Sequence, residues 1–494
     1  MSVKFLSGSK CVFMLFLAAL SLFALPVSLS QAAEPAEEAP RVHAVVDIGH
    51  QFSFYGDGRF HTQYLPGQPR ATCWGALYNF DYSNANLLVL LGCESKLKYL
   101  PKDFRTMVQF MRDGGGVVLL GWASSKPQNE LAQKFGVTFK KGAKKPFKAV
   151  SDEITDEIEG RGDWFEIRNP AIWEVLIADA QGRAVLARRN VGKGTLLVGA
   201  RGLAGSRPDA KDNINASWWT PLLEKTSAGK PVDPKKPFRS IGLGNLEYTE
   251  KLGNIKLHYS EYLRPYAKAM ADIYQRVNPQ IEERMGVPLS DGMASEIGLL
   301  ATGGGGFSSG RMLGLAVFWG GFPDREDSMI EFITHESVHS WVLPFPEIWN
   351  EPIATYVGDL VMVDMGYPEE GMRRINRTID RAKKIDPTMK KYDIRGKSIT
   401  GEDLEGGQAN AMHWGKTFWI FEQMRKENPD VVADYFKAKR ELAKPGEIEK
   451  YDANNTVAIM SVAMGRDMFG WFHEHGFDVS RDKSEIKIEL ESAK

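Results

Sequence analysis

Residues 335–339 read His-Glu-Ser-Val-His, and eleven residues separate His339 from Glu351. Two histidines four apart share one face of a helix. Their ring nitrogens then aim at one point, as a tetrahedral zinc site requires. Glu336 sits one step round the helix. From there it takes a proton from a water that the metal activates without itself being a ligand, the place of a general base. A catalytic zinc keeps three protein ligands and one open position, so Glu351 is the candidate third ligand. With nine histidines in 494 residues, chance produces this five-residue pattern in about one such chain in a hundred.

The elements around these residues suit the chemistry. In "DREDSMIEFITHESVHSWVLP", apolar residues recur at 329, 330, 333, 338 and 341. This spacing predicts a helix, with Ser328 and Glu331 as a capping box and Pro344 as the stop. "PFPEIWNEPIATYVGDLVMVD" predicts a proline-rich turn, which Trp341 and Trp349 would pack, and a second helix with Glu351 near its start. Two helices joined by a tight turn bring Glu351 against the histidine pair. Upstream, "SEYLRPYAKAMADIYQRVNPQIEERMG" predicts a long helix. "SEIGLLAT" and "LGLAVFWGG" predict strands, separated by the flexible-looking "GGGGFSSGR".

This second half resembles the gluzincin metallopeptidases, the clan of thermolysin, aminopeptidase N and the enhancin-like, mucin-cleaving peptidases. His335, Glu336 and His339 match its metal motif. "NEPIATY" is similar to its Asn-Glu-x-x-Ala element, which implies Glu351 as third ligand. The short spacer resembles that of the enhancin-like group more than the longer one of aminopeptidase N. "LGLAVFWGG" occupies the place of the clan's substrate-pairing edge strand. "VAIMSVAMGRDMFGWFHEHGFDVS" is similar to its closing helices. The resemblance further implies a Tyr or His donor against the oxyanion. In "NAMHWGKTFWIFEQM" the candidate is His413, two residues before Gly415, with Tyr356 and Tyr451 as alternatives. Asp359 is a candidate to orient a ligand histidine, whereas the thermolysin-like position for that role holds Thr355. His473 and His475, in "WFHEHG", read as a helix end.

Residues 42–225 alternate strand and helix signals: "RVHAVVDIG", "ANLLVLLG", "LPKDFRTMVQFMRDGG", "GGVVLLGW", "NELAQKFG" and "GTLLVGA". Such alternation predicts an α/β layer structure on a mostly parallel sheet. This half resembles the class I glutamine-amidotransferase-like fold in a degenerate, non-catalytic form. The turn that would hold that family's nucleophile, "LLGWASS", offers Trp122 instead. Cys93 follows another strand, and a Cys nucleophile would need His43, His50 or His61 as base. Cys73 and Cys93 form a disulfide or are two buried thiols, since spacing says nothing of their distance. Arg161–Asp163 reads as a surface turn. Residues 226–240, "TSAGKPVDPKKPFRS", suit a linker to a mainly helical α+β domain over 241–494 with a small edge sheet.

Lys4 and Lys10 precede the apolar run 11–25, and Ser30 and Ala32 suit a cut after Ala32. Residues 1–32 therefore read as a Sec-type signal, placing the mature chain in the periplasm, at the cell surface or outside the cell with no stable membrane insertion. A net charge of −1 gives no reason to expect nucleic acid as a partner. The sequence thus predicts a secreted zinc metallopeptidase acting on proteins or glycoproteins. Two other readings exist: a glycan- or protein-binding protein with a structural zinc site, and an amidohydrolase using Cys93. Retention of Glu336 speaks against the first, because a decayed site has no use for a general base.

Overall fold

The structure, a computed structural model, describes residues 41–50, 56–93, 96–154, 157–204, 215–239, 242–253, 255–288, 295–301, 305–309 and 312–489. The expected secretion signal, residues 1–32, lies outside them. The first half is built on an eight-stranded sheet. In chain order its strands are β1 (Ala44–Asp47), β2 (Arg70–Cys73), β3 (Leu87–Leu90), β4 (Gly116–Gly121), β6 (Lys148–Ala149), β8 (Glu174–Ala178), β9 (Ala184–Val191) and β10 (Gly194–Ala200). Their spatial order is β2-β1-β3-β4-β10-β9-β8-β6. The first five run parallel, and the last three continue antiparallel. A separate two-stranded ribbon pairs β5 (Val137–Lys140) with β7 (Trp164–Ile167).

The continuous apolar runs of β1, β3 and β4 are buried throughout because both sheet faces are covered. Val45, Leu88, Leu90, Val117 and Leu119 point to one face and pack with Met107, Phe110 and Met111 of α2 (Pro101–Arg112). The alternate residues Val46, Leu87, Val89, Val118 and Leu120 point to the other. They pack with Phe60 and Tyr64 of α1 (Gly56–Tyr64) and with Trp218 and Trp219 of α4 (Ala216–Ser227). Helix α3 (Lys126–Lys134) follows β4. Residues 228–239 carry no helix or strand. They lie pinned to the first half: Asn84 exchanges hydrogen bonds with Asp233 (2.8 and 3.1 Å), and Phe238 stacks on His43.

The second half opens with a hairpin, β11 (Tyr248–Leu252) and β12 (Ile255–Tyr259), then the 22-residue helix α5 (Arg264–Met285). The hairpin joins β13 (Glu296–Leu300), β14 (Phe307–Ser309) and β15 (Met312–Ala316) in the order β11-β12-β13-β15-β14. Seven helices follow: α6 (Glu326–Trp341), α7 (Asn350–Asp364), α8 (Pro368–Lys383), α9 (Gly406–Glu427), α10 (Val431–Leu442), α11 (Ala453–Met464) and α12 (Phe469–Glu474). This mainly helical half corrects one expectation. The strand of "LGLAVFWGG", β15, is internal. The edge belongs to β14, inside the stretch read as a flexible spacer, because Phe307 pairs across to Gly314 and Ser309 to Met312.

The carboxyl edge of the parallel sheet, where open α/β sheets usually bind ligands, abuts the second half. The Asn245 side chain accepts from the Trp74 and Gly75 amides (2.6 and 2.8 Å), and Glu247 accepts from the Ala76 amide. The Leu77 amide donates to the Tyr262 hydroxyl (3.2 Å). One apolar core runs across both halves.

Candidate metal centre

Helix α6 begins two residues before the expected cap. Ser328 consequently lies within its first turn, and no capping box forms there. Glu326 and Asp327 complement the positive helix end instead. Glu331, freed from capping, pairs with Arg374 of α8 at 2.8 Å. The next two turns of α6 carry His335 and His339. Their Nε2 atoms stand 3.2 Å apart, with ring planes at 87°. Glu351, in the first turn of α7, places Oε2 3.4 Å from His335 Nε2 and Oε1 3.6 Å from His339 Nε2. This is the one group of three such side chains, among the described residues, with converging donor atoms.

The donor set fits a tetrahedral cation. An ion ~2.0–2.1 Å from each donor needs N···N edges of ~3.3 Å and N···O edges of ~3.4 Å. Two imidazole nitrogens turned edge-on toward each other also face the same point as a carboxylate, the arrangement a shared cation would reward. Two nitrogens and one carboxylate oxygen match zinc's ligand chemistry.

The surroundings set ring orientation and charge. His335 Nδ1 lies 2.8 Å from Thr355 Oγ1. With Nε2 ligating, Nδ1 carries the proton and donates to that hydroxyl. Thr355 follows Glu351 by one helical turn and so shares its face. Asp359, a further turn on, pairs with Arg374 at 2.7 Å. The expectation that Asp359 orients a ligand histidine is therefore corrected: Thr355 does so, and Asp359 ties α7 to α8. Burial pulls the His335 pKa down, but the Glu351 hydrogen bond and the fields of Glu336 and Glu331 outweigh it and lift it. Burial and the neighbouring His335 depress His339. Burial pushes Glu351 up, but its histidine partners win and hold it low.

Glu336 is 7 % exposed. Burial raises its carboxyl to about 7, against the opposing field of His335, which suits a group that must both take and return a proton near neutral pH. The backbone at Gly306, just before β14, passes directly over it. A Cβ there would lie 2.6 Å from Glu336 Oε1 and 2.7 Å from Phe332 Cζ, so only glycine leaves the carboxylate its place.

His413, on α9, is half-buried with Nδ1 3.2 Å from the Ile394 carbonyl, leaving Nε2 for another partner. Burial lowers its pKa, opposed by that carbonyl and by the charges of Glu351 and Asp393. The alternatives are engaged elsewhere. Tyr356 is buried and donates to Glu422 at 2.7 Å, and the Tyr451 hydroxyl meets that of Tyr435 at 3.0 Å. His473 is exposed, and His475 Nδ1 bonds the Trp471 carbonyl at 2.6 Å.

One network that sequence reasoning missed holds the turn between α6 and α7. Trp341 and Trp349 are fully buried in it, as expected. Lys439 of α10 reaches in as well. Its ammonium donates to the carbonyls of Val342 (2.5 Å) and Phe345 (2.6 Å) and to the Glu347 carboxylate. Glu347 also accepts from the Tyr435 hydroxyl at 2.8 Å. Lys439 and Glu347 expose 1 % and 0 % of their side chains. A carboxylate between proline and tryptophan in "PFPEIWNE" was the available signal. "FKAKREL" offered none, because it reads as a solvated helix face.

In the first half, Cys73 and Cys93 are free and buried, not a disulfide. Burial raises the Cys73 thiol well above its ordinary value, and its Sγ lies 3.4 Å from the Gly75 carbonyl. His43 Nδ1 bonds the Asn84 carbonyl, and His50 Nδ1 bonds Asp47. Asp163 of the Arg-Gly-Asp turn is used internally, accepting from the Ala123 and Gly142 amides.

No family model matches this chain, and no curated protein matches it. Among solved structures, the mmIFT52 N-terminal domain aligns with 37 % of this chain and 97 % of its own, at 12 % identity and a TM-score of 0.30. Yeast LTA4 hydrolase in complex with bestatin aligns over 38 % of this chain and 33 % of its own, at 12 % identity and a TM-score of 0.30. The exo-β-1,4-mannosidase Op5Man5 from Opitutaceae bacterium strain TAV5 aligns over 36 % and 35 %, at 13 % identity and a TM-score of 0.26. Likenesses this slight carry no argument about function.

Proposed function

We propose that this chain is a zinc-dependent metallopeptidase of gluzincin type, acting outside the cytoplasm on proteins or glycoproteins. The observation that carries the reading is the convergence of His335, His339 and Glu351, with the buried carboxyl of Glu336 beside them. The three ligands would hold zinc, which when bound would polarise a peptide carbonyl and acidify a water. Glu336 takes that water's proton on its carboxylate and returns it to the departing amine. His413 offers Nε2 as donor to the charge that develops on the carbonyl oxygen. β14, the last strand of its sheet among the described residues, would receive an extended peptide along its outer side by main-chain hydrogen bonds. The first half braces the second through its carboxyl edge, which suits a non-catalytic, amidotransferase-like partner. No helix among the described residues is long and apolar enough to cross a membrane.

Hydrolysis of casein and mucin by the wild type beside Glu336→Gln tests the reading. Cleavage by the wild type that falls by orders of magnitude in the variant is the expected result. Equal cleavage by both would remove Glu336 from the reaction.

A further inference from the structure

The first half places one aromatic ring against β14, the strand that follows the backbone covering Glu336. Trp74 follows β2, and its ring meets Phe307 of β14 edge to face, with centroids 5.7 Å apart. Phe307 is next to Gly306, whose backbone covers Glu336. Strand geometry sorts these residues by face. Ser308 points to α6, its hydroxyl 3.3 Å from that of Ser340, and Gly306 faces the same way, toward Glu336. Phe307 points to the opposite face, where Trp74 waits.

Trp74 is held firmly. Its indole N–H donates to Thr72 Oγ1 at 2.8 Å. Its backbone amide and that of Gly75 both donate to Asn245, which is fully buried. A Cβ on Gly75 would lie 2.1 Å from the Asn245 carbonyl oxygen, so glycine is what lets the turn approach. Both residues are half-buried, so neither is wholly shut away from solvent. A ring fixed in advance loses little freedom when a ligand packs against it.

A peptide laid along the outer edge of β14 presents alternate side chains to the two faces. One set enters the side of Glu336. The side chain directly opposite Phe307 falls within ~4.5–5.5 Å, Cβ to Cβ, and meets the two rings. We propose that Trp74, with Phe307, forms a subsite that selects a large apolar side chain in the peptide, making the first half a contributor to substrate choice. The inference rests on the peptidase reading above.

The test is cleavage of a diverse peptide library, with cut sites mapped by mass spectrometry, for wild type, Trp74→Ala and Trp74→Leu. The wild type should enrich Phe, Leu or Met at one position flanking the cut. Trp74→Ala should lose on the order of tenfold in the kcat/KM ratio of Phe over Ala peptides at that position, with zinc content at the wild-type level. Trp74→Leu keeps bulk in the core and should lose the aromatic preference while keeping part of the aliphatic one. A wild-type profile unchanged in both variants, or a wild type indifferent to apolar residues at every position, overturns the subsite and leaves the peptidase standing. A wild type that cleaves nothing removes the peptidase reading and the subsite with it.

Discussion

Lys439→Met breaks the buried pair that braces the turn between α6 and α7. The side chains of Lys439 and Glu347 are 1 % and 0 % exposed, so neither charge has water to fall back on. Removing the ammonium strands the Glu347 carboxylate with neutral tyrosine hydroxyls alone, those of Tyr435 and Tyr451, and leaves the Val342 and Phe345 carbonyls without their donor. Breaking a buried pair by removing one partner costs about 3–5 kcal/mol. At roughly 2 °C per kcal/mol for a unit of this size, thermal melting should drop by ~6–10 °C. Lys439→Met with Glu347→Gln should cost less than the sum of the two single changes, because no orphan charge remains, with a coupling of ~1–3 kcal/mol. Urea melts followed by tryptophan fluorescence read all four proteins. Zinc titration of the same set should show weaker binding in the single variants, since this turn sets Glu351 against His335 and His339. Loss of under 1 kcal/mol in Lys439→Met, or strict additivity in the cycle, would refute the reasoning.

Three further outcomes follow from particular contacts. Gly306→Ala puts a methyl 2.6 Å from Glu336 Oε1, so the carboxylate must move by about 1 Å and kcat for casein should fall ~100-fold, with zinc content unchanged. Thr355→Val removes the hydroxyl at His335 Nδ1, and competition with a metallochromic chelator should show zinc affinity ~10–100-fold lower. Burial and the field of Arg70 push His61 down from 6.5 to about 4. The unfolded chain therefore binds more protons between those values, and stability falls as pH drops through that window. The loss is on the order of 2 kcal/mol, and His61→Gln should flatten the slope seen in urea melts at pH 7 and pH 4.5.

The parts legible in the sequence were those governed by local spacing. The i, i+4 histidines, the early glutamate of the next helix and the continuous apolar runs of β1, β3 and β4 carry their structural meaning in their own neighbourhood. The hairpin β11–β12 was missed although "IKLHY" alternates, because the strong helical pattern after it drew the reading. Strand β14 was missed because glycines mask a three-residue strand whose existence depends on β15. The capping box failed because Ser328 and Glu331 fit a local rule while Arg374, far along the chain, claims the glutamate. The Lys439–Glu347 pair and the Trp74–Phe307 contact join residues 92 and 233 apart in sequence (439 − 347; 307 − 74), and no local pattern announces either.

The central claim is a zinc ion held by His335, His339 and Glu351. Metal analysis of the mature protein, wild type beside Glu336→Gln and His339→Ala, tests it most directly. The account predicts about one zinc per chain in the wild type and in Glu336→Gln, and loss of the metal in His339→Ala. No zinc in the wild type, or zinc undiminished in His339→Ala, would contradict it.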